Sequence, residues 1–393
     1  MKNLILALLL GAAVLSAQST TNSLTAKEAA DGWLLLFDGN SMFGWTSEGD
    51  GKWRVENGTL VVDSGGNGWL RNHLLLTDYV LKCDFKTAAD GNSGIFLRSA
   101  ATGQPHVTGY ELQIYDTQPQ GFNTGGVVNH VKADTVAKLK DNQWMSYEVE
   151  HIGDRMVVKL DGKKVLDMKD PKSKAGHIGL QFNQNKPIVF RNIKVKPVGL
   201  QSIFDGKTLN GWKVVEAPRK PAEPPVWKAE KGMIHVEKGP GQLETDGVYQ
   251  NFILQMDVRT NSKDPSFHPN SGIFFRGDHA GYWTGYEAQL RNEFKDADPT
   301  QPVDFGTGAI YHYFPTRKVV SKDNEFFKIT VHAHGRHMAV WVNGYPTADW
   351  TDERPEGKNA RSEARLTEGT LSLQAHDPKT NLDFKNIQIA KLP

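Results

Sequence analysis

In "YVLKCDFK" (79–86), Tyr79, Leu81, Cys83 and Phe85 fall on one face, and Lys82, Asp84 and Lys86 on the other. That two-residue period is the mark of a strand with one buried side. "FILQMDVR" (252–259) repeats it, with Phe252, Leu254, Met256 and Val258 inward against Gln255, Asp257 and Arg259. "SYEVEHIGDRMVVKLDG" (146–162) predicts a hairpin turning at Gly153-Asp154, and "VHAHGRHMAVWVNG" (331–344) predicts its counterpart. Asp161-Gly162 and Asn343-Gly344 are two-residue turn signals. Helical periodicity is confined to short stretches such as "LTAKEAADG" (24–32). The pattern predicts an all-β chain of antiparallel sandwiches.

The pattern is also written twice. "LFDGNSMFGW" (36–45) answers "IFDGKTLNGW" (203–212), and "NSGIFLRS" (92–99) answers "NSGIFFRG" (270–277). "TGYELQ" (108–113) pairs with "TGYEAQ" (284–289), and "FRNIKVKPV" (190–198) with "FKNIQIAKL" (384–392). The order is kept and the second copy is longer, partly through the Pro-rich "APRKPAEPP" (217–225). A repeat of this length means duplicated domains and not a solenoid, whose units are about 20–50 residues. We place the first domain at 24–198 and the second at 201–393. At the N-terminus, Lys2, the apolar run "LILALLLGAAVL" (4–15) and the small Ala17 read as an export signal over 1–17.

Charge removes several function classes. The formal net charge is +1 with no run of like charges, so no nucleic acid or anionic membrane is expected as partner, and no membrane contact after signal cleavage. Cys83 is the only cysteine, which rules out a disulfide within the chain. A periplasmic or secreted protein stabilised by its core fits these features. Oligomeric state is not legible.

The candidate chemistry lies on the sheet face away from the core. In "YELQIYD" (110–116), Tyr110, Leu112 and Ile114 point one way, Glu111, Gln113 and Tyr115 the other. "YEAQLR" (286–291) likewise puts Glu287 and Gln289 on the outer face. The same alternation places Phe96 with Arg98, and Phe274 with Arg276, beside those glutamates. A ligand-facing stripe of Arg, Glu and Gln is the expectation; a merely solvated face or a structural Arg–Glu pair are the alternatives. "GAIYHYF" (308–314) adds Tyr311, and "SLQAHDP" (372–378) adds Gln374 and His376. An ordinary glycosidase needs two carboxylates about 5–9.5 Å apart. Here Glu111 is followed by Gln113, and the odd offset to Asp116 puts it on the opposite face unless a bulge intervenes. A single base beside cationic and amide donors suits removal of a proton α to a carbonyl, the donors stabilising the enolate. "HAHGRH" (332–337) spans a hairpin turn and is a poor zinc candidate, so no metal and no cofactor are expected. No phosphate loop, dinucleotide fingerprint or Gly-x-Ser-x-Gly element is present.

Together, F-D-G-x-x-x-x-G-W, N-S-G-I-F-x-R, G-Y-E-x-Q and the closing F-x-N-I resemble the 3-keto-disaccharide hydrolase domain family, over residues 24–197 and again 201–393. The resemblance implies a concanavalin-like jelly-roll sandwich in each half and cleavage of glycosides already oxidised at C3. That agrees with the residue reading, because a 3-ketone acidifies the C2 proton, and a base could then drive loss of the glycosidic oxygen. The first copy keeps the family's Y-E-x-Q-x-x-D phrase, which brings Asp116 into the candidate set, but has "GGVVNH" (125–130) and "GLQFNQ" (179–184) elsewhere. The second keeps "GAIY" (308–311) and "LQAHD" (373–377), with Asn292 where the Asp would stand. We therefore expect catalysis in the second copy. The catalytic set is Glu287, His376 and Arg276, with Glu111 and Arg98 in the first copy. Substrate contacts are expected from Gln289, Tyr311, Gln374, Gln113, Asp116, Phe96 and Phe274. The alternative is a carbohydrate-binding protein without turnover.

Overall fold

Each half of the chain closes two antiparallel sheets over its own core in the computed structural model, which describes residues 21–135, 137–183 and 186–393. The export signal predicted at 1–17 lies outside the described residues. In the first half, an eight-stranded sheet centred on Tyr79–Thr87 and Ile188–Pro197 packs against a five-stranded sheet. The latter runs Trp45–Gly51, Gly65–Asn72, His177–Phe182, Ser93–Ser99 and Tyr110–Ile114 in spatial order. The second half repeats this with Phe252–Thr260 and Asn381–Lys391 in its eight-stranded sheet. Its five-stranded sheet runs Trp212–Glu216, Gly241–Tyr249, Gly369–Ala375, Ser271–Gly277 and Tyr286–Leu290. Neighbours in space are mostly not neighbours in sequence, the jelly-roll arrangement of a double sandwich.

The predicted hairpins form. Met145–Ile152 turns into Arg155–Leu160, and Asp161-Gly162 (φ 47° and 78°) and Asn343-Gly344 (φ 50° and 74°) turn the next pairs. Both central residues lie in the left-handed region, the turn whose twist matches the strands it joins. The one helix near the N-terminus, Ala26–Ala30, is held by a capping box between Thr25 and Glu28.

One outward face is not solvated. Gln255, predicted to point to water, is buried because its Nε2 donates to Gly32 O and Thr330 Oγ1. The first domain's entry segment lies here against the second domain: Leu35 N donates to Gly344 O at 2.8 Å, and Trp341 Nε1 donates to Leu35 O at 3.0 Å. Ile253, Ala339 and Trp341 accordingly join the first domain's core. The domains share an apolar seam, so the second domain's eight-stranded sheet has a covered face where alternation predicted water, while the first domain's outward Lys82, Asp84 and Lys86 stay half-exposed.

Candidate functional site

The outer face of the second five-stranded sheet floors a cavity of about 560 Å³. Glu287 and Gln289 rise from Tyr286–Leu290 and Gln374 from Gly369–Ala375, because alternation sends Tyr286, Ala288, Leu290 and Leu373 into the core. Opposite them, the glycine of "NSGIFFRG" leaves the space the carboxylate fills. A Cβ on Gly272 would sit 2.3 Å from Glu287 Oε1, and one on Gly94 would sit 3.0 Å from Glu111 Cγ. Trp283, Tyr311, His312, Arg361 and His376 form the walls.

Glu287 is 4% exposed and accepts from Arg361 Nη2 at 2.9 Å. Burial raises its carboxyl pKa above the usual value despite the opposing charges of Arg361 and His376. His376 pairs through Nδ1 with Asp377 Oδ2 at 2.9 Å, and its Nε2 lies 3.2 Å from Asn270 Nδ2. With the Nδ1 proton on the Asp377 side, Nε2 is the acceptor. Its ring stacks on Trp283 (5.7 Å, 14°), which stacks in turn on Tyr282 (4.8 Å). Gln289 Nε2 donates to Asn270 Oδ1 and Asp304 O, while Gln289 Oε1 and Gln374 Oε1 are buried acceptors with no partner among the described residues. Burial, with Asp304 and Glu287 nearby, raises the Tyr311 phenol. The walls and their supports are also strained: Trp283 and His312 in the lining, and Asp304 and Phe305 against Gln289 and Tyr311, hold φ between 48° and 70°. Non-glycine residues in that region cost about 1–3 kcal/mol each and concentrate at functional sites.

The first domain carries a second cavity, also of about 560 Å³, on the matching face. Trp69, Phe96, Glu111, Gln113 and Gln181 line it, with no Arg or Lys among the described residues of its lining. Glu111 accepts from Gln181 Nε2 at 2.9 Å, and burial lifts its pKa from 4.5 to about 7. Asn183 stands where the second copy has His376.

The structure removes both predicted arginines from the ligand face. Arg98 (φ 49°) and Arg276 (φ 55°) sit in the left-handed region where their strands slip register against the neighbouring strand. The slip breaks the alternation and turns each side chain off the face that holds Phe96 and Glu287. Arg276 is fully buried and donates to Gln250 O, Gly335 O and Arg365 O; burial lowers its pKa to about 10. Arg98 does the same for Thr77 O, Gly153 O, Ser173 O and His151 O, and pairs with Asp78 at 3.0 Å. They tie loops together and line neither of the two cavities. Asp116 is likewise a loop pin, accepting from Thr124 Oγ1 and Leu139 N, because no bulge brings it round. Its counterpart Asn292 binds Thr307, Ser321 and Thr260, so the Asp-to-Asn departure falls on a structural position. Phe274 lies beneath Arg361 (5.2 Å) and outside the cavity lining, whereas Phe96 lines its cavity.

Glu287, Gln289, Tyr311, Gln374 and His376 converge in one cavity, and Glu111, Gln113 and Phe96 in the other. Sequence reasoning missed Arg361, Trp283, Asn270 and Asp304. Trp283 could have been found beside "TGYE"; Arg361 comes from a polar loop with no signal of its own.

No curated protein matches this chain. Among solved structures, a candidate glycosyl hydrolase from Parabacteroides distasonis is 21% identical, covering 46% of this chain and 100% of that one, with a TM-score of 0.41. A second from the same organism is 22% identical over 42% of this chain and 99% of its own, with a TM-score of 0.37. The carbohydrate-binding module CBM66 from Bacillus subtilis is 19% identical over 39% and 95%, with a TM-score of 0.31. The 3-keto-alpha-glucoside-1,2-lyase-like domain model matches residues 32–196 and again 199–390. The chain belongs to this family, whose domain it carries twice.

Proposed function

We propose that the protein is an exported enzyme that cleaves 3-keto-glycosides in the cavity of its second domain. The observation that carries this reading is the buried Glu287 carboxylate, held against Arg361 in a cavity it shares with His376. Glu287 takes the C2 proton, made acidic by the C3 ketone. The C–H electrons pass into the C3 enolate, whose charge Arg361 stabilises. Collapse of the enolate forms the C1–C2 double bond and expels the glycosidic oxygen from C1, which takes the proton of the Tyr311 phenol. Water adding across the new double bond completes a net hydrolysis. The unpartnered Gln289 and Gln374 oxygens suit sugar hydroxyl donors.

The first cavity supports a second reading for that domain alone. It offers Trp69 and Phe96 beside amides but neither an arginine nor a counterpart of His376, which favours sugar binding over turnover there. Assay of a 3-keto-glucoside with Glu287→Gln and Glu111→Gln tests both readings. Loss in the first variant alone is expected; full turnover in both single variants and in the double variant would sink the catalytic reading. Binding of unoxidised glycan with no product from any 3-keto-sugar would favour a carbohydrate-binding protein.

A further inference from the structure

Where the domains meet, a separate set of side chains converges outside both cavities. His73 follows strand Gly65–Asn72 of the first domain, while His337 and Asp349 lie on the paired strands His337–Val342 and Tyr345–Thr351 of the second. His73 Nδ1 is 2.7 Å from Asp349 Oδ1, and His337 Nε2 is 3.1 Å from Asp349 Oδ2. All three ligand atoms lie within 4.8 Å of one another, and the two imidazole rings stand edge to face at 5.5 Å.

Two observations separate this cluster from an ordinary hydrogen-bonded triad. Among the described residues neither ring nitrogen of His337 makes an aligned hydrogen bond although both are buried, and its Nε2 approaches Asp349 at 3.1 Å off the line of one. The far nitrogen of His73 is engaged by Thr46 Oγ1 at 2.8 Å, the outer contact that fixes ring and tautomer in metal-ligating histidines. Ligands at about 2.0–2.2 Å from a tetrahedral metal stand roughly 3.3 Å apart, so these atoms need move only slightly to enclose one. Side-chain exposures of 25%, 15% and 9% for His73, His337 and Asp349 leave a side open for entry and for a water as fourth ligand.

We propose that His73, His337 and Asp349 bind a first-row transition dication, zinc by their two-imidazole, one-carboxylate chemistry, and that the ion ties the two domains together. Of the histidines in "HAHGRH", His337 joins the cluster, while His332 turns its Nε2 to Leu75 O. The third ligand comes instead from the other domain, so the site exists only when the domains are docked.

The test uses the full chain, stripped with a chelator and titrated with ZnCl₂ by calorimetry and with CoCl₂ by visible spectroscopy. One equivalent of zinc is expected per chain, with a Co²⁺ absorption typical of low coordination. His73→Asn and His337→Asn should each weaken zinc at least tenfold, and Thr46→Val about tenfold through the outer contact. Zinc should raise the unfolding midpoint of the wild type and not of the histidine variants. Absence of zinc uptake by the native protein overturns the proposal. So does undiminished zinc affinity in His337→Asn, or, if that variant loses its native circular dichroism, in Thr46→Val.

Discussion

Arg361 Nη2 donates to Glu287 Oε2 at 2.9 Å, joining the loop before strand Gly369–Ala375 to the floor of the second cavity. The pair sets opposing influences on one carboxyl. Burial favours its neutral form and the guanidinium favours the anion, with burial prevailing. Arg361→Met removes the opposing influence, so the Glu287 pKa rises further. A base acts only when ionised, so the acid limb of the kcat/KM profile should move to higher pH. Glu287→Gln should cost about 10²–10⁴-fold in kcat. An Arg361→Met profile with an unmoved acid limb would remove Glu287 from the role of base.

Gly272→Ala should damage the same step without touching a polar group. Its Cβ would meet Glu287 Oε1 at 2.3 Å, so the carboxylate must leave its place over the strand. A drop in kcat with a near-native unfolding midpoint is expected; unchanged turnover would show that the carboxylate's position over Gly272 is not used.

Arg276→Ala and Arg98→Ala should act on stability. Each deletes a buried guanidinium and leaves several main-chain carbonyls without donors, a loss of about 3–5 kcal/mol by denaturant unfolding. The fraction that stays folded should keep the wild-type KM. A raised KM at unchanged stability would return these arginines to the ligand face.

Glu111 carries a pH-dependent penalty. Its folded pKa, about 7, lies above the ordinary glutamate value of 4.5, so the native state favours the protonated form. The stability this provides is complete below about pH 4.5 and is lost as pH rises to about 7. Glu111→Gln should therefore stabilise the protein at pH 8 relative to its effect at pH 4, by up to about 3 kcal/mol. Equal effects at both pH values would show the carboxyl to be solvated.

Much of the candidate site was legible locally. The two-residue period alone put Glu111, Gln113, Glu287 and Gln289 on the outer face, because sheet sides alternate whatever the neighbours do. It failed at Arg98 and Arg276, since a single residue at positive φ reverses the alternation and nothing in "IFLRS" or "IFFRG" announces it. Arg361 was invisible for another reason: its role arises from contact with a strand far away in sequence, and an exposed arginine in a polar loop reads as a solvated charge.

The sequence by itself determined the duplicated all-β architecture, the hairpin turns and the side of each sheet on which the glutamates stand. All of these follow from local steric rules and short-range periodicity. Only the tertiary structure decided that the twice-written arginines hold loops together and that Arg361 and Trp283 complete the second cavity. It also decided that His73 meets His337 and Asp349 between the domains. Those relationships join chain segments that share no period, and they exist because two sheets and two domains pack into contact.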